Sequence, residues 1–226
     1  MTQTTPDPVV ADKAVPLSAR LRDETADVHR AAERSAFISA LLGGELDLRE
    51  YARLVVQLRA VYEALEDEVA ASTDAALAPL FAAELVRLPA LTRDLEHLAG
   101  PSWSGQLDVL PSAAAYADRI RLVAHAEHEM LLAHHYVRYL GDLSGGQLIG
   151  RALRRIHHLP DERGTEGYRF ESIVSAKAFK DRYRVLLEAL PWDHDARTRL
   201  VAEARVAYRL NTNLFTELMA TIPLVG

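Results

Sequence analysis

Apolar residues recur at intervals of three and four along most of the chain, which is the spacing that places side chains on one face of an α-helix. One stripe consists of Tyr51, Leu54, Leu58, Tyr62, Leu65 and Val69. Alternation of apolar and polar residues, which is typical of strands, is essentially absent. The pattern therefore predicts an all-α protein. The predicted helices span residues 18–42, 48–71, 91–99, 113–125, 127–158, 172–190 and 195–220.

Helix-breaking and helix-capping residues set the limits of these predictions. Ser18 and Ser112 are predicted N-caps, and Gly43-Gly44 is predicted to end the first helix. Residues 1–16 carry three prolines among small polar residues and are expected to form a loose tail. Residues 17–222 are then expected to form one domain, because a chain of 226 residues fits a single domain and contains no internal repeat.

Composition and charge exclude several classes of protein. Hydrophobic residues make up 49% and charged residues 26% of the chain, which is ordinary for a globular protein. No run of about eighteen apolar residues occurs, and the start lacks a basic segment followed by an apolar run. We therefore expect a soluble cytoplasmic protein without a membrane anchor. The net charge of −6 argues against a nucleic-acid partner.

The chain contains no cysteine. Disulfides, thiolate nucleophiles, iron–sulfur clusters and cysteine-ligated haem are therefore excluded. Any tightly bound metal must be held by histidine or carboxylate side chains.

The most informative stretch, here called the glycine segment, is residues 136–147, Tyr-Val-Arg-Tyr-Leu-Gly-Asp-Leu-Ser-Gly-Gly-Gln. Gly141, Gly145 and Gly146 interrupt strong helix formers, and each glycine costs a helix interior about 1 kcal/mol relative to alanine. Gly141 and Gly145 are four residues apart, so one helix face there carries no side chains and a flat ligand or another backbone can approach closely. Asp142 stands between them, with Arg138 one turn earlier as a candidate partner.

His29 is a candidate metal ligand on the first predicted helix. Ala26 and Ala32 leave its face uncluttered, and Glu33 one turn later is placed to accept a proton from the second ring nitrogen. Spacing alone does not favour His29 over His125, His128, His134 or His135. His125 and His128 have the spacing of half a zinc site, although no third ligand is visible.

Basic residues line one face of a later predicted helix. Lys177, Lys180 and Arg184 follow one another at intervals of three and four residues, and Arg22 lies seven residues before His29. Such a stripe is compatible with a solvated surface or with an anionic ligand.

These segments together resemble the haem oxygenase family. The glycine segment is similar to the family's distal-helix signature, and residues 25–33, Thr-Ala-Asp-Val-His-Arg-Ala-Ala-Glu, are similar to its proximal helix. The resemblance continues, in the family's order, from about Leu17 to Leu218. It implies a single-domain helical fold in which haem is sandwiched between a proximal helix and a kinked distal helix.

The resemblance also implies a role for each matching residue. His29 would be the axial iron ligand, oriented by Glu33. Gly141 and Gly145 would contact haem, and Gly146 would allow the distal helix to bend. Asp142 would organise water beside bound O₂, supported by Arg138 and Tyr62. The residues that bind the haem propionates would be Arg22, Tyr136, Lys180 and Arg184. Phe215 and Asn211 would belong to the distal pocket wall and its polar network.

The implied reaction is oxidative cleavage of haem b, which is both substrate and cofactor, to biliverdin, CO and Fe²⁺. It requires O₂ and electrons from a ferredoxin or a flavoprotein reductase, and iron acquisition is among the implied cellular roles. We expect a monomer that meets such a redox partner. Arg22 stands where many members carry lysine, and Tyr208 where many carry phenylalanine, which bears on haem orientation. The alternative is a non-catalytic haem-binding or haem-storage protein of the same fold.

Overall fold

The computed structural model describes residues 15–222, and the regular structure in this range is helical, as the sequence predicts. The α-helices are α1 Leu17–Glu24, α2 Ala26–Glu33, α3 Ala36–Gly43, α4 Leu48–Ala71, α5 Leu88–Ala99, α6 Pro111–Ala126, α7 Leu131–His135, α8 Gln147–Ile156, α9 Ala176–Glu188 and α10 His194–Ala220. Two π-helical turns, Tyr136–Leu140 and Asp142–Gly146, connect α7 to α8. The predicted tail falls almost wholly on residues 1–14, outside the described residues.

The prediction of one helix over residues 18–42 is wrong, because the chain forms α1, α2 and α3 there. Thr25 lies between α1 and α2, and its hydroxyl donates to the Leu21 carbonyl. Ser35 caps α3, accepting a hydrogen bond from the Ile38 amide at 3.4 Å. Gly44 ends α3 as predicted, in a left-handed conformation with φ of 78°. The region that bears His29 is therefore a short helix between two breaks.

The backbone amides at the start of α1 also bond to a different acceptor from the one predicted. Ser18 is not the N-cap, since the helix begins at Leu17. The amides of Leu17 and Ser18 donate instead to the Glu188 carboxylate of α9, at 2.9 and 2.8 Å. A carboxylate distant in sequence thus supplies the acceptor that orphan amides of a first helical turn require.

Helix α4 has the predicted limits, Leu48 to Ala71. Asp47 caps it by accepting from the amides of Arg49 and Glu50 at 2.8 and 2.9 Å. Its predicted stripe is buried from Tyr51 to Leu65, while Val69 is partly buried. Helices α5 and α6 pack against α4, so α4 forms the centre of the core.

The ends of later helices differ from the predictions by a few residues. Helix α6 begins at Pro111, and the Ser112 amide donates to Glu217 of α10 at 2.8 Å, so Ser112 is not its N-cap. Helix α9 begins only at Ala176, after the cap Ser175. Helix α5 begins at Leu88, with proline in its first turn, and α10 begins at His194.

A buried ionic cluster joins α6, α7 and α10. Glu203 of α10 accepts a hydrogen bond from Arg119 of α6, and its Oε1 lies 3.0 Å from Nε2 of His134, which is fully buried. Burial opposes ionisation of Glu203, but the hydrogen bonds from His134 and Arg119 outweigh it and lower the pKa of Glu203 to about 2. Burial also lowers the pKa of His134.

This cluster predicts a loss of stability in acid. A carboxyl whose folded pKa lies near 2, against an ordinary value of 4.5, stabilises the fold above pH 4.5 and loses that contribution as pH falls toward 2. We expect Glu203→Gln to lower the free energy of unfolding at neutral pH by about 2 kcal/mol and to flatten its pH dependence in that window. Urea unfolding at several pH values measures both, with Glu96→Gln on the exposed face of α5 as control. An unchanged pH dependence would contradict the assignment.

None of the helices in residues 15–222 combines the length and the apolar character that crossing a bilayer requires.

Candidate active site

The glycine segment forms two successive π-helical turns between α7 and α8. Such turns are rare, occur at kinks in α-helices and are frequent at functional sites. The long helix predicted over residues 127–158 is therefore interrupted where its glycines lie. The wide turns set the directions in which the side chains of this segment point.

Gly141 and Gly145 border open space. A Cβ atom built on either glycine would have no heavy atom within 4 Å. Both residues are half-buried, so bare backbone borders this open space, which is called the slot below. Gly146 faces packed side chains instead, because a Cβ there would lie 3.0 Å from Cδ1 of Tyr168 and 3.2 Å from Cβ of Asp142.

Asp142 lies in a buried polar network beside this bare backbone. The Tyr62 hydroxyl of α4 donates to Oδ2 of Asp142. Nη2 of Arg138 lies 3.5 Å from Oδ1 of Asp142, and Nη1 of Arg138 donates to Oδ1 of Asn211 in α10 at 3.0 Å. The guanidinium of Arg138 also lies over the Tyr62 ring, 5.1 Å from its centroid. The structure thus brings together four residues singled out in the sequence.

Burial and neighbouring charges together fix the protonation of the two donors in this network. It raises the pKa of Tyr62 well above its ordinary value, and the neighbouring Asp142 carboxylate raises it further. Burial alone would lower the pKa of Arg138, but Tyr62 and Asp142 outweigh it and raise that pKa. Tyr62 is therefore a neutral donor and Arg138 a cation, and both orient the Asp142 carboxylate.

Two buried polar atoms next to this network have no partner within residues 15–222. They are the hydroxyl of Tyr116, in α6, and Nε of Arg138. Tyr116 lies within reach of the charges of this network, since Arg138 lowers and Asp142 raises its pKa, which burial raises further. Sequence reasoning missed Tyr116, although a tyrosine inside an apolar stripe signals a buried hydroxyl in need of a partner.

His29 lies on α2, and its side chain is 44% exposed. Nε2 of His29 is 3.5 Å from Oε1 of Glu33, so the predicted neighbour engages one ring nitrogen and leaves the other available to a metal. The Tyr208 ring of α10 meets the imidazole edge-on, with centroids 5.3 Å apart. Tyr208 also lies close enough to Tyr136 and Arg138 for their charges to shift its pKa, which burial raises. Helix α10 therefore connects His29 to the glycine segment.

The other candidate histidines are engaged elsewhere. Nδ1 of His125 lies 2.7 Å from the Arg121 carbonyl, and Nε2 of His128 lies 2.7 Å from the Ser72 hydroxyl. His134 binds Glu203, and Nδ1 of His135 lies 2.9 Å from the Tyr183 hydroxyl. Within the described part of the chain, no group of three or more histidine and acidic side chains is arranged to hold a metal ion.

Three of the predicted basic residues, Lys180, Arg184 and Arg22, lie near the glycine segment. Nζ of Lys180 donates to the hydroxyl of Ser144, between Gly141 and Gly145, at 2.9 Å. Burial raises the pKa of Tyr136, while the nearby cations Arg184 and Arg22 lower it, which places both close to the phenol.

The same cations also bind surface carboxylates, so their side chains are not held at the slot alone. Arg184 contacts Asp181 at 2.7 Å, and Arg22, with a side chain 72% exposed, contacts Asp23 at 2.7 Å. Phe215 and Asn211 are buried on α10, within two turns of Tyr208.

Comparison with known proteins decides the family. The family model described as "Heme oxygenase" matches residues 15–217. The chain belongs to the haem oxygenase family. A haem oxygenase of Porphyra purpurea is 37% identical over 207 residues, which cover 91% of this chain and 88% of that protein. Haem oxygenase 1 of the cyanobacterium Synechocystis sp. is 38% identical over 206 residues, or 91% of this chain and 85% of that protein.

Solved haem oxygenase structures share the fold. The crystal structure of haem oxygenase-1 from Synechocystis sp., determined in complex with haem, matches with a TM-score of 0.86 at 38% identity and covers 91% of this chain and 93% of that one. The haem oxygenase of Leptospira interrogans matches with a TM-score of 0.86 at 35% identity, covering 90% of this chain and all of the other.

The residues of this haem oxygenase fold fit a haem molecule. Open space beside Gly141 and Gly145 suits a flat macrocycle, and the accessible imidazole of His29 suits an iron ligand. Cations at one edge suit carboxylates, and the unpartnered Tyr116 hydroxyl suits a polar pocket that holds water.

Proposed function

We propose that this chain cleaves haem at a meso carbon, with O₂ and electrons from a ferredoxin or flavoprotein reductase, to give biliverdin, CO and Fe²⁺. We propose that it does so in the cytoplasm. The observation that carries the proposal is the bare backbone at Gly141 and Gly145 directly beside the buried Asp142–Tyr62–Arg138 network. Haem is the substrate, and its iron supplies the position at which O₂ binds.

His29 holds the substrate from the proximal side. An imidazole with one nitrogen next to the Glu33 carboxylate is a well-oriented ligand, because the carboxylate restricts the ring. The edge-on contact with Tyr208 limits rotation of the same ring. The ring is therefore held from two directions before haem arrives.

The glycine segment and Asp142, on the distal side of the slot, control the delivery of protons to the reaction. Because Gly141 and Gly145 carry no side chains, only backbone would face the substrate at these two positions, and neither position would bring an acidic side chain against it. Asp142 instead acts through water, and its carboxylate is oriented by the Tyr62 hydroxyl and the Arg138 guanidinium. Water that also bonds the Tyr116 hydroxyl and Nε of Arg138 would satisfy both buried atoms.

This network distinguishes the oxygenase from a storage protein of the same fold. Haem storage needs an axial ligand and a slot, but it does not need a buried carboxylate held by a buried tyrosine and a buried arginine. Such groups are costly to bury and are retained where they have a function.

Cations at the edge of the slot select the orientation of haem. We expect the double variant Lys180→Ala, Arg184→Ala to weaken haem binding by roughly tenfold and to yield a mixture of biliverdin isomers, because two propionates lose charge-assisted partners. Haem titration and chromatography of the pigments measure these effects. Lys177→Ala is the matched control, since that lysine lies on the same helix with a side chain 88% exposed. A single unchanged isomer from the double variant would remove the pair from the haem clamp.

The direct test of the function is turnover of haem by the purified chain. Haemin is added, followed by ascorbate or a ferredoxin system under O₂. We expect a Soret band that gives way to a bile-pigment spectrum, with one CO released per haem. A stable haem complex that reductant and O₂ leave unchanged would instead support the storage alternative.

A further inference from the structure

The glycine segment and Gly150, three residues beyond it, contain two pairs of glycines with different surroundings. Gly141 and Gly145 border the open slot, whereas Gly146 and Gly150 are closed against the aromatic ring of Tyr168. A Cβ on Gly150 would lie 3.2 Å from Cβ and 3.3 Å from Cδ2 of that tyrosine. The absence of side chains at the second pair therefore seats Tyr168 against the backbone behind the slot.

Tyr168 is held in place from the opposite side. It ends the short 3-10 turn Glu166–Tyr168, whose first amides donate to Asp94 of α5: Glu166 at 2.8 Å and Gly167 at 2.7 Å. Asp94 is fully buried, and a Cβ on Gly167 would come within 2.6 Å of Leu91 Cδ2. The turn consequently has little room to move away from the glycine segment.

The contact between Tyr168 and Gly146 is adjacent to the Asp142 carboxylate. The same Cβ position on Gly146 that meets Tyr168 also lies 3.3 Å from Oδ1 of Asp142. A shift of the backbone at Gly146 would therefore move the carboxylate as well as the bare face at Gly145. Packed interiors transmit small displacements of this kind, because they leave few voids to absorb them.

From these contacts we propose that Tyr168 is a positioning residue that sets the depth of the slot and the orientation of the Asp142 carboxylate. Its turn is anchored to Asp94, and its ring packs on Gly146 and Gly150. It acts through the backbone of the glycine segment and does not touch the substrate. The proposal rests on the proposed haem function for its consequence in turnover, but its structural part stands in the haem-free protein.

The test uses two opposite changes. Tyr168→Ala removes the ring behind the segment, so amide hydrogen exchange at residues 141–147 of the haem-free protein should accelerate about tenfold or more, while α4 keeps its protection. Gly150→Ala pushes the segment toward the slot, so exchange should stay slow while haem affinity falls about tenfold. Tyr168→Phe keeps the ring and should restore wild-type exchange and affinity.

Gly105→Ala is the matched control, because a Cβ there meets nothing within 4 Å, and it should alter neither measurement. The visible spectrum of the haem complex is also recorded as a function of pH. Tyr168→Ala should shift the pH at which that spectrum changes, because the Asp142 carboxylate is displaced. Loss of a residue with only a packing role would leave that pH unchanged.

Uniformly faster exchange throughout the Tyr168→Ala protein would overturn the proposal, as would unchanged exchange at residues 141–147. Should Tyr168→Ala fail to fold, Gly150→Ala alone decides the question: unchanged haem affinity in that variant overturns the proposal. Failure of the wild-type chain to bind haem would instead refute the proposed function, and the exchange experiment would still report on the Tyr168 contact.

Discussion

Replacing His29 with alanine is expected to abolish biliverdin formation while haem still enters the slot. The bare backbone at Gly141 and Gly145 and the cations at the edge remain, but the iron loses its axial nitrogen. We expect turnover to fall by roughly 1,000-fold or more, because the axial ligand sets the reactivity of haem iron. The visible spectrum of the haem complex, with and without added imidazole, reports the ligation directly.

His125→Ala is the control, because that ring lies on the surface and bonds the backbone of its own helix. It should leave both spectrum and turnover unchanged. A wild-type spectrum in the His29→Ala complex would show that another residue binds the iron. Glu33→Gln should have a smaller effect, about tenfold on turnover, because it removes the orienting carboxylate but leaves the ligand.

Asp142→Ala is expected to uncouple haem consumption from pigment formation. The variant lacks the carboxylate that the Tyr62 hydroxyl and Arg138 orient beside the slot, so water there is no longer ordered for proton delivery. We expect the yield of biliverdin to fall about 100-fold, the scale of losing one positioned acid–base group. Pigment yield and CO release, measured per haem consumed, separate slow turnover from diverted chemistry.

Asp118→Ala provides the matched control, since that carboxylate is 76% exposed and pairs with Arg121 at the surface. An unchanged biliverdin yield in Asp142→Ala would take Asp142 out of the mechanism. Tyr62→Phe tests the same network one step away and should reduce the yield less, because Arg138 still faces the carboxylate.

Sequence patterns predicted α4 to the residue but misjudged the region before it. Helix α4 has both a capping aspartate, Asp47, and an unbroken apolar stripe, so local and tertiary preferences agree. Residues 18–42 also show helical spacing, but the chain bends twice, at Thr25 and Ser35, to wrap around the core. Ser35 carried a readable capping signal. The break at Thr25 had no such signal, because it depends on how α1 packs against α9 and α10 and how α2 packs against α10.

At the site, the sequence identified the groups and missed part of their surroundings. It singled out Asp142, Arg138, Tyr62 and Asn211, which the structure brings together. It assigned Gly146 only to bending, whereas that glycine makes room for Tyr168. Spacing could not reveal this contact, because Tyr168 lies on a loop and approaches from outside the helix. Tyr116 was overlooked for a different reason, since its place among the buried apolar residues of α6 was a signal that the sequence did offer.

The wide turns between α7 and α8 place a strict limit on the length of this part of the chain. A π-helical turn holds one residue more than an α-helical one, so deleting one residue between Tyr136 and Gly146 could be absorbed by an ordinary helix. The helices on either side would then keep their relative orientation, but residues inside the shortened turn would shift by one position, a rotation of roughly 100° about the helix axis. Hydrophobic burial would survive in part, yet Asp142 and the two bare positions would no longer share a common orientation. Homologous chains should therefore tolerate substitution here far better than insertion or deletion.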